Sequence, residues 1–197
     1  MIRIITDSTS DLSPARQEAL GVDVIPLSVH FGEEVFRDGV DITNAEFYDR
    51  LSKVDTLPTT SQINPEVFAD VFRKYLDQGD EIVGIFISGA MSGTCQSALI
   101  ARDMVDGEDR IHIVDSRTVT FALGLLVEVA ATLRDQGLSA GELAAKLEEL
   151  AGRLRLLAVV DTLKYLKMGG RISTASAVVG ALLNINPIIT IENGLVE

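Results

Sequence analysis

The sequence has few cysteines, histidines and aromatic residues, and these shortages exclude several classes of protein. With one cysteine, Cys95, the chain has no internal disulfide framework, so a reducing, cytoplasmic setting is the expectation. The two histidines, His30 and His112, lack the H-x-x-x-H or C-x-x-C company of metal ligands, and no metal site is predicted. Apolar runs such as residues 156–160 are far shorter than the roughly 20 residues of a membrane-spanning helix, so no integral membrane segment is predicted.

The net charge of −12 is unevenly distributed along the chain. Residues 1–150 carry 26 acidic and 12 basic side chains, whereas the five basic side chains of the remainder all lie between Arg153 and Arg171. The acidic first part argues against duplex nucleic acid as a partner, because affinity for DNA comes largely from contacts with phosphates. The basic stretch fits either a solvated helix face or a docking patch for an anionic group or an acidic partner.

Apolar runs alternate with longer amphipathic stretches, a pattern typical of α/β proteins. We predict a Rossmann-like, mostly parallel sheet in an N-terminal α/β domain of residues 1–155, followed by part of a second α/β domain at residues 156–197. Residues 173–183 are predicted to form an apolar helix. The Asn193-Gly194 pair predicts a hairpin turn so near the last residue that its partner strand is expected to be missing and the second domain incomplete.

Two hydroxyl-rich segments stand just before predicted helices. One is Thr59-Thr60-Ser61-Gln62, in a predicted polar loop, and the other is Ser88–Thr94, which links a buried strand to a helix. In the second segment, Gly89 and Gly93 let a ligand approach the backbone closely, and Ser92 adds a hydroxyl donor. The N–H groups at a helix amino end attract anions, so the pattern fits an anion site as well as ordinary helix capping.

The kind of anion follows from the motifs that the sequence lacks. Ser88–Thr94 has no lysine of a G-x-x-x-x-G-K-[ST] phosphate loop, the chain has no G-x-G-x-x-G, and no nucleotide or other cofactor is predicted. Met91 places an apolar side chain among the hydroxyls. This mixture suits a carboxylate with an apolar tail better than it suits a nucleotide.

Two alternatives remain. One is an α/β interaction module whose loops only cap helices, and the other is an enzyme, with Ser92 or Cys95 as the nucleophile of an acyl hydrolase or acyltransferase. Cys95 stands at the start of a predicted helix, where a thiolate is stabilised. A lone cysteine, however, is most often a small buried apolar residue. In addition, the sequence places no histidine or lysine to activate either side chain.

Four segments, in order and spread through nearly the whole chain, together resemble motifs of the DegV family. They are residues 5–12, 60–62, 87–98 and 161–172. The resemblance implies a cytoplasmic bacterial protein with two α/β domains that binds a long-chain, palmitate-like fatty acid and buries its acyl chain. It also implies a carrier with no catalytic residues of its own, whose bound acid is phosphorylated in some members by a separate kinase. Family members are longer, and the additional part completes the second domain.

The resemblance also assigns roles to individual residues. Thr60, Ser61 and Ser92 look like the carboxylate ligands, with the backbone of Gly89 nearby. Arg171, which follows a Gly-Gly turn, looks like part of the family's site or of its kinase-docking surface. The implied partners are therefore a long-chain fatty acid and a fatty-acid kinase subunit.

Overall fold

The computed structural model describes residues 1–172 and 186–197, which form an α/β fold around a parallel sheet. The strands are β1 (Ile2–Asp7), β2 (Val22–Ile25), β3 (Ser28–Phe31), β4 (Glu34–Arg37), β5 (Thr59–Ser61), β6 (Glu81–Phe86), β7 (Ile111–Asp115), β8 (Leu157–Val159), β9 (Ile188–Glu192) and β10 (Leu195–Val196). The helices are α1 (Pro14–Leu20), α2 (Asn44–Leu51), α3 (Pro65–Leu76), α4 (Thr94–Met104), α5 (Thr120–Asp135), α6 (Ala140–Ala151) and α7 (Lys164–Gly169). The helix predicted over residues 173–183 lies outside the described residues.

The central sheet has the strand order β2-β1-β6-β7, and its strands are parallel, which confirms the predicted fold class. From β1 the chain continues to β2 on one side, and it later returns to β6 on the other side. The strand order therefore reverses between β1 and β6. In open α/β sheets, ligands bind in the crevice outside the carboxyl ends of the strands at such a reversal.

Two apolar layers hold helices against the two faces of this sheet. Successive side chains of a strand point to opposite faces, so Ile4 packs with α5 and α6 whereas Ile5 packs with α3 and α4. Leu123 is fully buried in the first layer, and the rings of Phe68 and Phe86 meet edge to face at 5.0 Å in the second. These layers fix the strand ends, and with them the loops that leave the sheet.

Several helices begin at residues whose side chains accept hydrogen bonds from the first turn, as the Ser-Pro pair at residues 13–14 and the Thr-x-x-Glu and Ser-x-x-Glu spacings predict. Ser13 caps α1, and capping boxes begin α2 and α6, formed by Thr43 with Glu46 and by Ser139 with Glu142. These capping predictions are confirmed. Among the helices of the described residues, none combines the length and apolar character needed to cross a membrane.

A small antiparallel sheet, ordered β4-β3-β5, stands beside the parallel one. Its edge strand β5 lies in the segment predicted as a polar loop, so the loop prediction is wrong for Thr59–Ser61. The three residues are polar and exposed, and they carry no alternation of apolar side chains that would indicate a strand. Pairing with β3, far away in the sequence, makes them extended.

A second antiparallel sheet, ordered β10-β9-β8, contains the hairpin predicted at Asn193-Gly194. Both turn residues have positive φ, 50° for Asn193 and 80° for Gly194, as a type I′ turn requires. The turn prediction is confirmed, and the partner strand expected to be missing is present as the two-residue β10.

Candidate functional site

The carboxyl ends of β1, β6 and β7 bring polar segments to one edge of the central sheet. The segments are the 3-10 turn Ser8–Ser10 after β1, the Ser88–Gly93 loop after β6 and Ser116–Thr118 after β7. Several of their hydroxyl-bearing residues are buried, among them Ser88 at 1% exposure. This edge includes the β1–β6 reversal and is therefore the candidate site.

Asp7 ties the end of β1 to the end of β6. Its Oδ2 accepts a hydrogen bond from the Ile87 N–H at 2.8 Å, and its Oδ1 accepts from the Thr9 N–H at 2.9 Å and the Thr9 hydroxyl at 2.5 Å. Burial raises the pKa of the Asp7 carboxyl above its usual value, although these hydrogen bonds act in the opposite direction. With its oxygens occupied in this way, Asp7 has a structural role at the reversal.

Ser92 and Gly93 lie at the amino end of α4. The Ser92 Oγ accepts from the Thr94 N–H at 3.3 Å and lies 2.9 Å from the Thr94 Oγ1. Gly93 is the N-cap of α4 and, having no side chain, makes no side-chain capping hydrogen bond itself. The loop thus presents a hydroxyl beside the first-turn N–H groups, an arrangement that suits an anion.

Asp115 and the β9–β10 hairpin hold the same loop from two other directions. Asp115 Oδ1 accepts from the Gly89 N–H at 3.2 Å, so the predicted backbone donor is already hydrogen-bonded within the protein. The Ser88 hydroxyl donates to the Gly194 carbonyl at 2.7 Å. A Cβ on Gly194 would lie 2.4 Å from the Ser88 Oγ, which explains the glycine at this position.

The two hydroxyl-rich segments predicted from the sequence meet in space through Gln62. Its Nε2 donates to the Ser97 Oγ of α4 at 2.9 Å. A Cβ on Gly93 would lie only 1.9 Å from the Gln62 Oε1, so the Gln62 side chain contacts the loop directly. The absence of a side chain at Gly93 therefore lets the end of β5 approach the loop that carries Ser92.

The side chains of the two predicted ligands on β5 point to opposite faces of the small sheet. Thr60 is opposite the buried Val29, and Ser61 is opposite Ser28, so the two hydroxyls lie on opposite faces of the small sheet. Ser61 Oγ lies 3.0 Å from the Nε2 of His30. A group that approaches one face therefore meets one of these two side chains, not both.

Arg171 also contacts the Ser88–Gly93 loop, called the Ser92 loop below. Its Nε donates to the Met91 carbonyl at 3.4 Å, and its Nη1 donates to the Gly169 carbonyl at 2.6 Å. Gly170 ends α7 with a φ of 70°, and this conformation turns the chain toward the loop. Of the predicted site residues, Gly89, Ser92 and Arg171 are thus at one loop, and Thr60 and Ser61 are on the strand that leads to it.

Cys95 lies at the start of α4 but faces the core. It is 7% exposed and packs with the apolar side chains on the α3–α4 face of the sheet. Burial, with the charges of Asp115 and Asp7 adding to it, raises the pKa of the thiol to about 12. The helix amino end does not compensate for this burial, and Cys95 is unsuited to act as a nucleophile at neutral pH.

This burial predicts slow alkylation of Cys95. At pH 8 we expect iodoacetamide to modify the folded protein at least about a hundredfold more slowly than the same protein in urea, because only the thiolate reacts. Mass spectrometry of timed samples measures both rates, with free glutathione as the reference thiol. Comparable rates in the folded and unfolded protein would contradict the buried, protonated state.

Sequence reasoning missed three contacts of this site. The Ser61–His30 pair, the Gly89–Asp115 hydrogen bond and the contact between Ser88 and the hairpin turn all join distant positions. None has a local signal in the sequence. Within residues 1–172 and 186–197, no three His, Cys, Asp or Glu side chains form a group that could hold a metal ion.

Comparisons with known proteins agree on one family. A family model described as "Uncharacterised protein, DegV family" matches residues 1–197. A DegV domain-containing protein of Caldanaerobacter subterraneus subsp. tengcongensis is 40% identical over 193 residues, which cover 98% of this chain and 68% of the relative.

Solved structures give the same result. A Thermus thermophilus protein, described by the words "Fatty Acid Binding of a DegV family Protein", has a TM-score of 0.90 at 39% identity and is matched over 100% of this chain and 69% of its own. A protein of Eubacterium ventriosum, described as a stearic acid-binding protein, has a TM-score of 0.91 at 37% identity with the same two coverages.

Proposed function

Because this chain belongs to the DegV family, we propose that it binds a long-chain, palmitate-like fatty acid with the carboxylate at the junction of the β5 end and the Ser92 loop. The observation that carries the proposal is the contact of Gln62 with Gly93 and Ser97, which joins the two hydroxyl-rich segments. The similar structures from Thermus thermophilus and Eubacterium ventriosum, both described as binding fatty acids, support it.

The physical chemistry of a fatty acid fits such a site. Burial of each CH₂ group contributes about 0.8 kcal/mol, so a tail of about 15 such groups supplies on the order of 12 kcal/mol before any costs. The carboxylate that follows the tail loses several kcal/mol of hydration unless donors replace the water. A few hydroxyl and amide donors offset this cost and favour the ionised acid.

The proposed donors have distinct roles. The Ser92 hydroxyl donates to one carboxylate oxygen while its Oγ accepts from the Thr94 N–H, and the Thr94 hydroxyl 2.9 Å away then acts as the donor of the hydroxyl pair. Thr60 or Ser61 binds from the β5 side, and Arg171 adds a positive charge at the edge of the loop. The backbone of Gly89 shapes the loop, with its N–H held by Asp115.

We propose a carrier and not an enzyme. The alternative nucleophiles are poorly activated, because Cys95 is buried with a raised thiol pKa and the Ser92 hydroxyl is hydrogen-bonded to Thr94, whose side chain is not a base. Phosphorylation of the bound acid would then fall to a separate fatty-acid kinase. An exposed basic group suits the docking of that partner and consists of Arg153, Arg155, Lys164, Lys167 and Arg171.

The proposal includes residues 156–197 as part of a second α/β domain. One face of the sheet β10-β9-β8 is apolar and open, with Leu157 74%, Val159 67% and Ile188 69% exposed. Val159 and Ile188 are opposite each other in the pairing of β8 with β9, so they form one patch. A contiguous exposed apolar patch of this kind is typical of a surface that another element covers.

The proposed function is tested by the lipid that the protein carries. After expression in bacteria, we expect native mass spectrometry to show a protein–lipid complex and organic extraction to release a long-chain fatty acid. The delipidated protein should take up added palmitate with one binding site. A folded protein that carries no acyl ligand and takes up no palmitate would contradict the proposal, and a burst of product from an activated acyl ester would favour the enzymatic alternative.

A further inference from the structure

The His30–Ser61 pair is a side-chain contact between β3 and β5, the strand that carries two of the proposed ligands. His30 lies on β3 and Ser61 on β5, and their Nε2 and Oγ atoms are 3.0 Å apart. In the antiparallel register, Thr59 is opposite His30 and Ser61 is opposite Ser28, so these four side chains share one face. Both members of the pair are outside the two apolar layers of the core.

The face that carries this pair is the open face of the small sheet. Val29 and Phe31 are on the opposite face, where Val29 is 5% exposed and the Phe31 ring meets the Phe47 ring of α2 at 5.7 Å. Thr60 points to that other face, although it is itself exposed at the edge of the sheet. Ser61 is therefore the hydroxyl of β5 that shares a face with the His30 imidazole.

From this geometry we propose that His30 is a positioning residue, which holds the Ser61 hydroxyl so that its proton points to the fatty-acid carboxylate. The inference rests on the proposed function and goes beyond it, because it assigns a role to a residue that the sequence did not place in the site.

The donor and acceptor capacities of the three groups explain the arrangement. A carboxylate only accepts hydrogen bonds, so Ser61 has to donate its single proton to it. The Ser61 oxygen is then free to accept, and in the tautomer that carries its proton on Nε2, His30 donates to it at 3.0 Å. A hydroxyl that accepts one hydrogen bond donates a stronger one, because the two polarise each other.

This arrangement predicts the effect of removing the imidazole. A hydrogen bond between uncharged groups corresponds to about a two- to tenfold change in affinity, and we expect His30→Ala to weaken palmitate binding within that range. His30→Gln keeps an N–H donor on a side chain of similar reach, so it should restore most of the loss. Val35→Ala is the matched control, since Val35 is opposite His30 on β4 and is exposed.

The experiment is a double-mutant cycle in which two competing ligands, palmitate and hexadecanol, displace one fluorescent probe. Displacement of the fluorescent fatty acid cis-parinaric acid by palmitate gives the affinities of the wild type, His30→Ala, Ser61→Ala and the double variant. We expect His30→Ala to have no further effect once Ser61 is replaced, because it acts through that hydroxyl. Hexadecanol, which has the tail without the carboxylate, should displace the probe equally well from the wild type and from His30→Ala.

The outcomes separate this inference from the proposed function. Additive effects of the two substitutions, no rescue by His30→Gln, or an equal loss for hexadecanol would overturn the positioning role while fatty-acid binding stands. A wild-type protein that binds neither cis-parinaric acid nor palmitate contradicts the proposed function itself. Thermal unfolding of each variant verifies that the measured protein is folded.

Discussion

Ser92→Ala is expected to weaken palmitate binding about tenfold or more, the largest loss from a single side chain of the proposed site. Hydrogen bonds to a charged group contribute about 1.5–3 kcal/mol, and 1.4 kcal/mol corresponds to a factor of ten in affinity. The Ser92 Oγ accepts from the Thr94 N–H, and the Thr94 Oγ1 lies 2.9 Å away. When the Thr94 hydroxyl is the donor in this pair, the Ser92 proton is available to a ligand.

Loss of this hydroxyl should leave the fold intact. Ser92 is in a loop and partly exposed, its side chain contacts the neighbouring Thr94, and its backbone hydrogen bond to the Ser88 carbonyl is kept in the variant. Titration calorimetry with palmitate measures the affinity, and Ser52→Ala is the matched control because the Ser52 hydroxyl donates to the Asp49 carbonyl at the end of α2. Equal palmitate affinities for wild type and Ser92→Ala would exclude Ser92 as a carboxylate ligand.

Gly124→Ala is expected to lower the free energy of unfolding by about 2 kcal/mol, in spite of the higher helix propensity of alanine. Gly124 lies inside α5, where alanine alone would contribute about 1 kcal/mol in favour of the helix. A Cβ at this position, however, would lie 2.5 Å from the Ser10 carbonyl oxygen. Real Cβ atoms do not approach so closely, and the obstacle is a backbone atom that cannot rotate away.

The neighbourhood of Ser10 makes relaxation costly. Ser10 ends the 3-10 turn that follows β1, and Asp7 pins the start of this turn through Thr9 while it also binds the Ile87 N–H. To relieve the clash, either α5 moves away from the sheet or the turn moves with its hydrogen bonds. Both movements disturb packed atoms at the β1–β6 reversal.

Gly141→Ala is the control with the opposite sign. Gly141 is exposed in α6, and the nearest atom to a Cβ there is the His112 Cε1 at an ordinary 3.7 Å. We expect this variant to be more stable by about 0.5–1 kcal/mol. Urea denaturation followed by circular dichroism measures both variants, and a stabilised Gly124→Ala would show that the helix tolerates the methyl group.

Much of the fold could be predicted from the sequence because its signals are local. Hydrophobic runs such as Glu81–Phe86 identify buried strands, and the pairs Thr43–Glu46 and Ser139–Glu142 satisfy donors at their own helix ends. The Asn193-Gly194 turn has the backbone conformation that these two residue types tolerate best.

The parts that could not be predicted depend on pairing between distant positions. Thr59–Ser61 is a strand only because β3 lies beside it, and this pairing separates Thr60 from Ser61 although they are neighbours in the sequence. The motif alone suggests two hydroxyls acting together. The alternation of side chains along the strand, visible only in the structure, assigns them to different faces.

The contact between Ser88 and the Gly194 carbonyl joins the β9–β10 hairpin to the loop of the proposed site. A hairpin turn that lies on the Ser92 loop restricts the loop whether or not a ligand is bound. Linkage is reciprocal: if the hairpin contact strengthens fatty-acid binding, the bound acid stabilises the hairpin contact by the same free energy. Binding of the fatty acid should therefore protect the backbone amides of β9 and β10 from hydrogen exchange. Exchange at these two strands would then measure ligand binding at the edge of the central sheet.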